Sequence, residues 1–154
     1  MKQNSSVKEQ VLNPGSLARE VANVPKETPA AELEDHIKLA LHAAAEKKAL
    51  DIVVLDLREI ASFTDYFVIT SGANERQVQA ISDEVSETLK KAGTPAARVE
   101  GYKTAEWILL DFGDFVFHVF DDKARKFYDL ERLWRESKRV PLAAEFNDSS
   151  LRNE

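Results

Sequence analysis

Two short apolar runs constrain this chain more than anything else in it. Ile52-Val53-Val54-Leu55 is continuous, rich in β-branched residues and lacks polar alternation, the signature of a strand buried on both faces. Tyr66-Phe67-Val68-Ile69-Thr70 reads as a second strand. Strands of this kind need apolar cover on each side, so helices must pack on the sheet. The sequence supplies the cover. Leu33, Ile37, Leu41, Ala44 and Ala45 fall at helical spacing and predict a first helix over about residues 30–48. Glu32, Glu34 and Asp35 in its first turns, with Lys47 and Lys48 in its last, suit the helix dipole. After the second strand, Ser71-Gly72 marks a stop, Asn74 can cap a helix, and Gln77 stands three residues on in a capping-box position. Val78, Ile81, Val85, Leu89 and Ala92 then make a stripe that Gly93 closes. Each buried Val, Ile or Leu contributes about 1.5–3 kcal/mol, so this stripe must face a sheet.

The second half continues the alternation. A short strand is predicted near residues 98–100, followed by strands over 107–112 and 115–120. Gly113-Asp114 joins the last two, and glycine first in a two-residue loop suits a type II′ hairpin. Residues 123–139 predict one or two short helices anchored by Leu130, Leu133 and Trp134, with Pro141 as a stop. The resulting order, α-β-β-α-(β)-β-β-α, predicts an α/β fold with a mixed sheet and flanking helices. Residues 1–30 hold Pro14, Gly15, Pro25 and Pro29 and show no sustained apolar period, which predicts a disordered leader. That leader has neither the apolar core of a secretory signal nor the arginine-rich, acid-poor composition of a transit peptide. Residues 31–142 are the expected folded domain and 143–154 a flexible tail.

Composition narrows the chemistry. With no cysteine, the chain has no disulfide, thiolate nucleophile or thiolate metal ligand. A net charge of −6 argues against binding driven by nucleic-acid phosphate. No apolar run approaches the ~18 residues of a membrane span. His36 and His42 lie six apart, about 240° around an ideal helix, and do not converge on one metal ion. His118 sits in an apolar strand and reads as a hydrogen-bonded core or interface histidine. Asp111 and Asp114 flank the hairpin and read mainly as solvated turn residues, with a magnesium-binding pair as the minor alternative. Asp111-Phe112-Gly113 spells a kinase magnesium motif, but no accompanying kinase element is present. Ser71-Gly72 precedes a helix, yet Asp83 and Glu84 diverge by about 100° and do not form a metal-binding carboxylate pair. There is no nucleophile elbow, dinucleotide fingerprint or P-loop. Nothing calls for a cofactor, and enzymatic activity has no positive support. Trp107, Phe112 and Tyr128 are the more informative residues, because strand pairing can bring them to one surface and Trp and Tyr dominate interface anchors. Arg125, Lys126, Arg132, Arg135, Lys138 and Arg139 form a late basic run, read mainly as a solvated helix face.

Three blocks of sequence carry a resemblance. The first is Thr64-Asp65-Tyr66-Phe67-Val68-Ile69-Thr70-Ser71-Gly72 with Gln77-Val78. The second is Val99-Glu100-Gly101, Trp107-Ile108-Leu109-Leu110-Asp111-Phe112-Gly113-Asp114 and His118-Val119-Phe120. The third runs from Arg125 through Lys126-Phe127-Tyr128-Asp129-Leu130-Glu131-Arg132-Leu133 to Trp134. In this order and spacing, over about residues 31–136, they resemble the ribosomal silencing factor family, also called Iojap. The resemblance implies a nucleotidyltransferase-like fold without the catalytic residues. It implies a cytoplasmic factor that binds the fourteenth protein of the large ribosomal subunit (the L14-type protein) and blocks joining of the small subunit, repressing translation. A role in large-subunit assembly and a homodimer are also implied. Trp107, Phe112, Tyr128 and Asp111 occupy the positions matching the family's partner-binding surface.

Overall fold

A computed structural model describes residues 6–14 and 26–147. The strands predicted from the apolar runs are present as β1 (Leu50–Asp56) and β2 (Tyr66–Gly72). Every residue of β2 is buried. The stripe beginning at Val78 forms α3 (Glu75–Lys91), whose Val78, Ile81, Val85 and Leu89 are all buried. Asn74 caps it by accepting from the Gln77 backbone N–H at 2.9 Å. The Gln77 side chain reaches back to accept from the Ala73 N–H, one residue before the cap. This is a shifted capping box. Then come β3 (Arg98–Glu100), β4 (Trp107–Asp111) and β5 (Phe115–Asp121).

With a two-residue strand β6 (Lys138–Arg139), the six strands lie in the order β3-β4-β5-β2-β1-β6. The central pair, β2 and β5, is parallel over seven residues, from Tyr66 opposite Phe115 to Gly72 opposite Asp121. All other neighbours are antiparallel. The hairpin between β4 and β5 turns at Gly113, whose φ of +92° meets the requirement of the first loop position.

Alternation along the strands builds two cores. On the first face Ile52, Val54, Val68, Ile108, Leu110, Phe117 and Val119 meet the apolar sides of α2 (Asp35–Glu46) and α3. On the second face Leu55, Phe67, Ile69, Trp107, Leu109 and Phe120 meet Leu130 and Trp134. The connection after β5 supplies α4 (Asp122–Tyr128) and α5 (Leu130–Leu133), separated by Asp129 in the left-handed conformation at φ +46°.

Four departures from the sequence reading have physical reasons. The first helix begins at Asp35, not near residue 30, because Leu33 is extended and turned into the core and Glu34 is the N-cap. Residues 30–32 form a single 3-10 turn instead. Lys138–Arg139 is not helical. It is strand β6, paired with Leu55 and Asp56 of β1, because no apolar residue follows Trp134 at helical spacing to hold a helix there. Within the expected leader, Val7–Val11 forms a helix, α1, with Ser6 as its cap and Val7 and Val11 buried on the second face. Thr28 is also fixed: its hydroxyl donates to Asp56, which Arg58 grips through both Nε at 3.0 Å and a second guanidinium nitrogen at 2.8 Å. Burial works against the Asp56 charge, but these bonds hold its carboxyl below the usual range. Within the expected tail, Ala144–Asn147 forms α6, and Phe146 is buried against the first-face core. Residues 1–5, 15–25 and 148–154 of the two terminal segments lie outside the described residues.

Gly101 is a close approach that sequence pattern alone did not single out. Its φ is +82°, and a Cβ there would stand 2.1 Å from the Trp107 carbonyl oxygen. Gly101→Ala is therefore expected to cost about 2–4 kcal/mol, from left-handed strain and overpacking together. Urea unfolding measures it, and a loss under 1 kcal/mol would contradict this reading.

Candidate interaction surface

Trp107 opens β4 and points to the second face, where it is 3% exposed. Its indole Nε1–H donates to His118 Nδ1 at 3.0 Å, and its ring stacks on Phe120 at 5.1 Å. Tyr128, at the end of α4, lies 4.8 Å from the Trp107 ring. The structure thus brings two of the four sequence-predicted contact residues together. It does not expose Trp107. The ring is covered by Lys8 of α1, whose Nζ stands 4.4 Å from the ring centroid and donates to the Trp107 carbonyl at 2.7 Å.

Phe112 and Asp111 fall elsewhere. Five residues along one strand separate Trp107 from Phe112, about 17 Å, and an odd interval puts them on opposite faces. Phe112 stacks on Phe115 at 4.7 Å beside the first-face core. Asp111 accepts from the Gly113 N–H at 2.9 Å and fixes the turn. The single surface expected for Trp107, Phe112 and Tyr128 is therefore divided by the period of the strand itself.

The hairpin tip has its own partners. Asp114 pairs with His36 Nε2 at 2.8 Å, and Thr64 donates to the Gly113 carbonyl at 3.0 Å. Glu34, His36 and Asp114 bring ligand-type atoms within 4.8 Å of one another. His42 packs instead on Phe146 at 5.2 Å, so the two histidines go separate ways.

One surface residue was missed by the sequence reading. Phe127 is 79% exposed and meets Tyr128 edge-on at 5.0 Å. An exposed phenylalanine beside a half-buried Tyr and a buried Trp continues the aromatic cluster outward. Its only sequence signal was position: it stands next to Tyr128 in a basic segment. That segment is not uniformly solvated. Arg125 bonds to the Ser71 hydroxyl and to Glu131, both at 2.9 Å, while Lys126 and Arg132 stay exposed.

His118 anchors the cluster from below. It is fully buried, with Phe67 edge-on at 4.6 Å. Because the Trp107 N–H can only donate, His118 Nδ1 must be unprotonated and the proton sits on Nε2. Burial, followed by the charges of Lys8 and Arg125, lowers its pKa to about 3. This is the hydrogen-bonded core histidine anticipated from sequence.

Cluster and sheet together describe a small α/β domain that offers an aromatic surface, and relatives place such domains among ribosome-associated factors. A family described as "Ribosomal silencing factor during starvation" matches residues 30–154. The ribosomal silencing factor of Halalkalibacterium halodurans is 39% identical over 109 residues, 71% of this chain and 93% of that protein. The factor of Bacillus subtilis is 40% identical over 107 residues, 70% of this chain and 88% of that one. The mouse protein named "Mitochondrial assembly of ribosomal large subunit protein 1" is 32% identical over 101 residues, covering 64% of this chain and 44% of that protein. A crystal structure from Chromobacterium violaceum superimposes with a TM-score of 0.66 at 35% identity, covering 73% of this chain and 92% of that one. The chain belongs to the ribosomal silencing factor family. Among the described residues, no helix is long and apolar enough to cross a membrane.

The buried histidine generates a pH prediction. Its folded pKa of about 3 lies below the ordinary 6.5, so between those values the unfolded chain binds a proton that the folded chain refuses. The stabilisation is complete above pH 6.5 and is lost as pH falls. As pH falls from 6.5 towards 5, the loss from this group should steepen from about half of the one-proton slope towards the full slope, about 1.4 kcal/mol per pH unit. His118→Gln keeps an acceptor for Trp107 without titrating, so its unfolding free energy should be flatter over that interval. Identical slopes for the two proteins would refute the assignment.

Proposed function

We propose that this chain is a cytoplasmic ribosomal silencing factor. It binds the fourteenth protein of the large subunit, occupies volume the small subunit needs, and so lowers translation. The reading rests on family membership together with one observation: an aromatic cluster that runs from buried Trp107 through Tyr128 to exposed Phe127. Aromatic side chains rooted in a core lose little freedom on binding and make effective anchors. The mechanism requires affinity and position, and no bond is broken. A net charge of −6 favours encounter with a basic ribosomal protein. Phe112 and Asp111 would act as a second contact at the hairpin tip, separate from the Trp107 cluster.

The mouse relative's name supports a second reading, large-subunit assembly. Sedimentation of purified subunits with and without the protein decides the first. Joining that proceeds normally in excess protein would overturn silencing. Accumulation of immature large particles on depletion would favour assembly. A transferase reading would require turnover of labelled nucleotide triphosphates with magnesium, and none is expected.

Phe127→Ala should weaken binding to the ribosomal partner by more than about 1 kcal/mol while leaving the melting temperature unchanged, because the side chain is 79% exposed. Calorimetric titration beside a thermal melt measures both. Trp107→Ala behaves differently: a Trp 3% exposed and bonded to His118 should cost about 3–5 kcal/mol of folding stability. Unchanged affinity for Phe127→Ala would remove this residue from the contact.

A further inference from the structure

The helix α1 is an addition to the domain. The family match begins at residue 30. The Halalkalibacterium halodurans relative is matched over 93% of its length, which leaves it too few residues for a counterpart of the 29 that precede. Yet α1 holds a defined seat on the second face. Val7 and Val11, one turn apart, enter the core cluster that contains Trp107, Phe120 and Trp134. The Val7 N–H donates to Glu100 at 3.1 Å, and Trp134 Nε1–H donates to the Val11 carbonyl at 2.7 Å. Lys8 covers the Trp107 ring and bonds its carbonyl.

The seat also carries the marks of a replaceable occupant. Five residues are too short to be helical alone, so α1 depends wholly on its groove. Burial lowers the Lys8 pKa, against the opposing pull of Glu100 and Glu106. The ammonium therefore gives up hydration to sit there. The groove is also continuous with the exposed aromatic surface, because the ring that Lys8 covers is the ring that Tyr128 touches.

We propose that α1 is an intramolecular stand-in for the partner, filling a helix-accepting groove that must empty before Trp107 can be reached. What the groove takes is written in α1 itself: an aliphatic residue, a cation immediately after it, and a second aliphatic residue one turn later. The cation socket is the Trp107 ring and carbonyl, flanked by Glu100 and Glu106. The partner is accordingly a basic protein segment that presents a lysine or arginine beside aliphatic side chains. This rests on the preceding reading of the Trp107 cluster as the ribosomal contact, and it adds that the chain restrains its own binding.

The test uses the whole 154-residue chain and the purified fourteenth protein of the large subunit. Val11→Glu places a charge in the core under Trp134 and should release α1. Both tryptophans touch α1, so their emission should move to longer wavelength in the free variant. Its affinity should rise about tenfold over the parent, since the binding-competent fraction rises. Lys8→Glu, a half-buried position, should empty the cation socket and give a smaller gain in the same direction. If Val11→Glu loses cooperative unfolding, the Lys8 variant decides. Equal affinities for parent and variants would overturn the stand-in and leave the ribosomal reading intact. Absence of binding by all three would overturn the ribosomal reading, and with it the displacement of α1 by this partner.

Discussion

The parallel pairing of β2 with β5 is the constraint on which the rest of the molecule depends. Adjacent parallel strands cannot be joined by a tight turn, so the chain must leave the sheet and return. It leaves through α3, which covers the first face, and returns through the β3–β4–β5 meander. The seven-residue register places β2 at the centre, buried throughout. Thr70 fits this position only because its hydroxyl donates to the His118 carbonyl at 2.9 Å. A polar group so deep is tolerable when bonded.

On the second face, the antiparallel pairing of β4 with β5 puts His118 opposite Leu109 and Phe120 opposite Trp107. The aromatic cluster is therefore a direct product of strand register. A slip of one residue would send Trp107 to the α3 side and His118 away from its donor. The Trp107–His118 bond thus reports that the sheet is correctly aligned, and it ties the aromatic cluster to the core. The cluster is rigid beneath, where His118 and Phe120 hold Trp107, and exposed above at Phe127.

Much of this was legible in the sequence because the relevant signals are local. The apolar runs gave β1 and β2, the stripe at Val78 gave α3, and Gly113 gave the hairpin. What escaped depends on distant residues. Val7 and Val11 look unremarkable among polar neighbours and acquire meaning only against Trp107 and Trp134, about a hundred residues away. The strand Lys138–Arg139 has no pattern of its own and exists because β1 offers it an edge. The exposure of Phe127 is a tertiary property. The separation of Phe112 from Trp107, by contrast, was available from strand alternation alone. The break before α2 carried no glycine or proline at Leu33 or Glu34, so a continuous stripe read as a continuous helix.

The ends of the sheet carry a further consequence. On one side β6 is only two residues long, and its outer edge is already engaged: the Thr28 N–H donates to the Arg139 carbonyl at 2.9 Å, and Glu27 bridges Arg139. On the other side β3 has three residues and is cut off by the turn at Gly101. Neither margin presents enough free main chain to template another strand. Among the described residues, neither margin therefore favours assembly by strand addition, and concentrated solutions should resist fibrillar growth for the same reason.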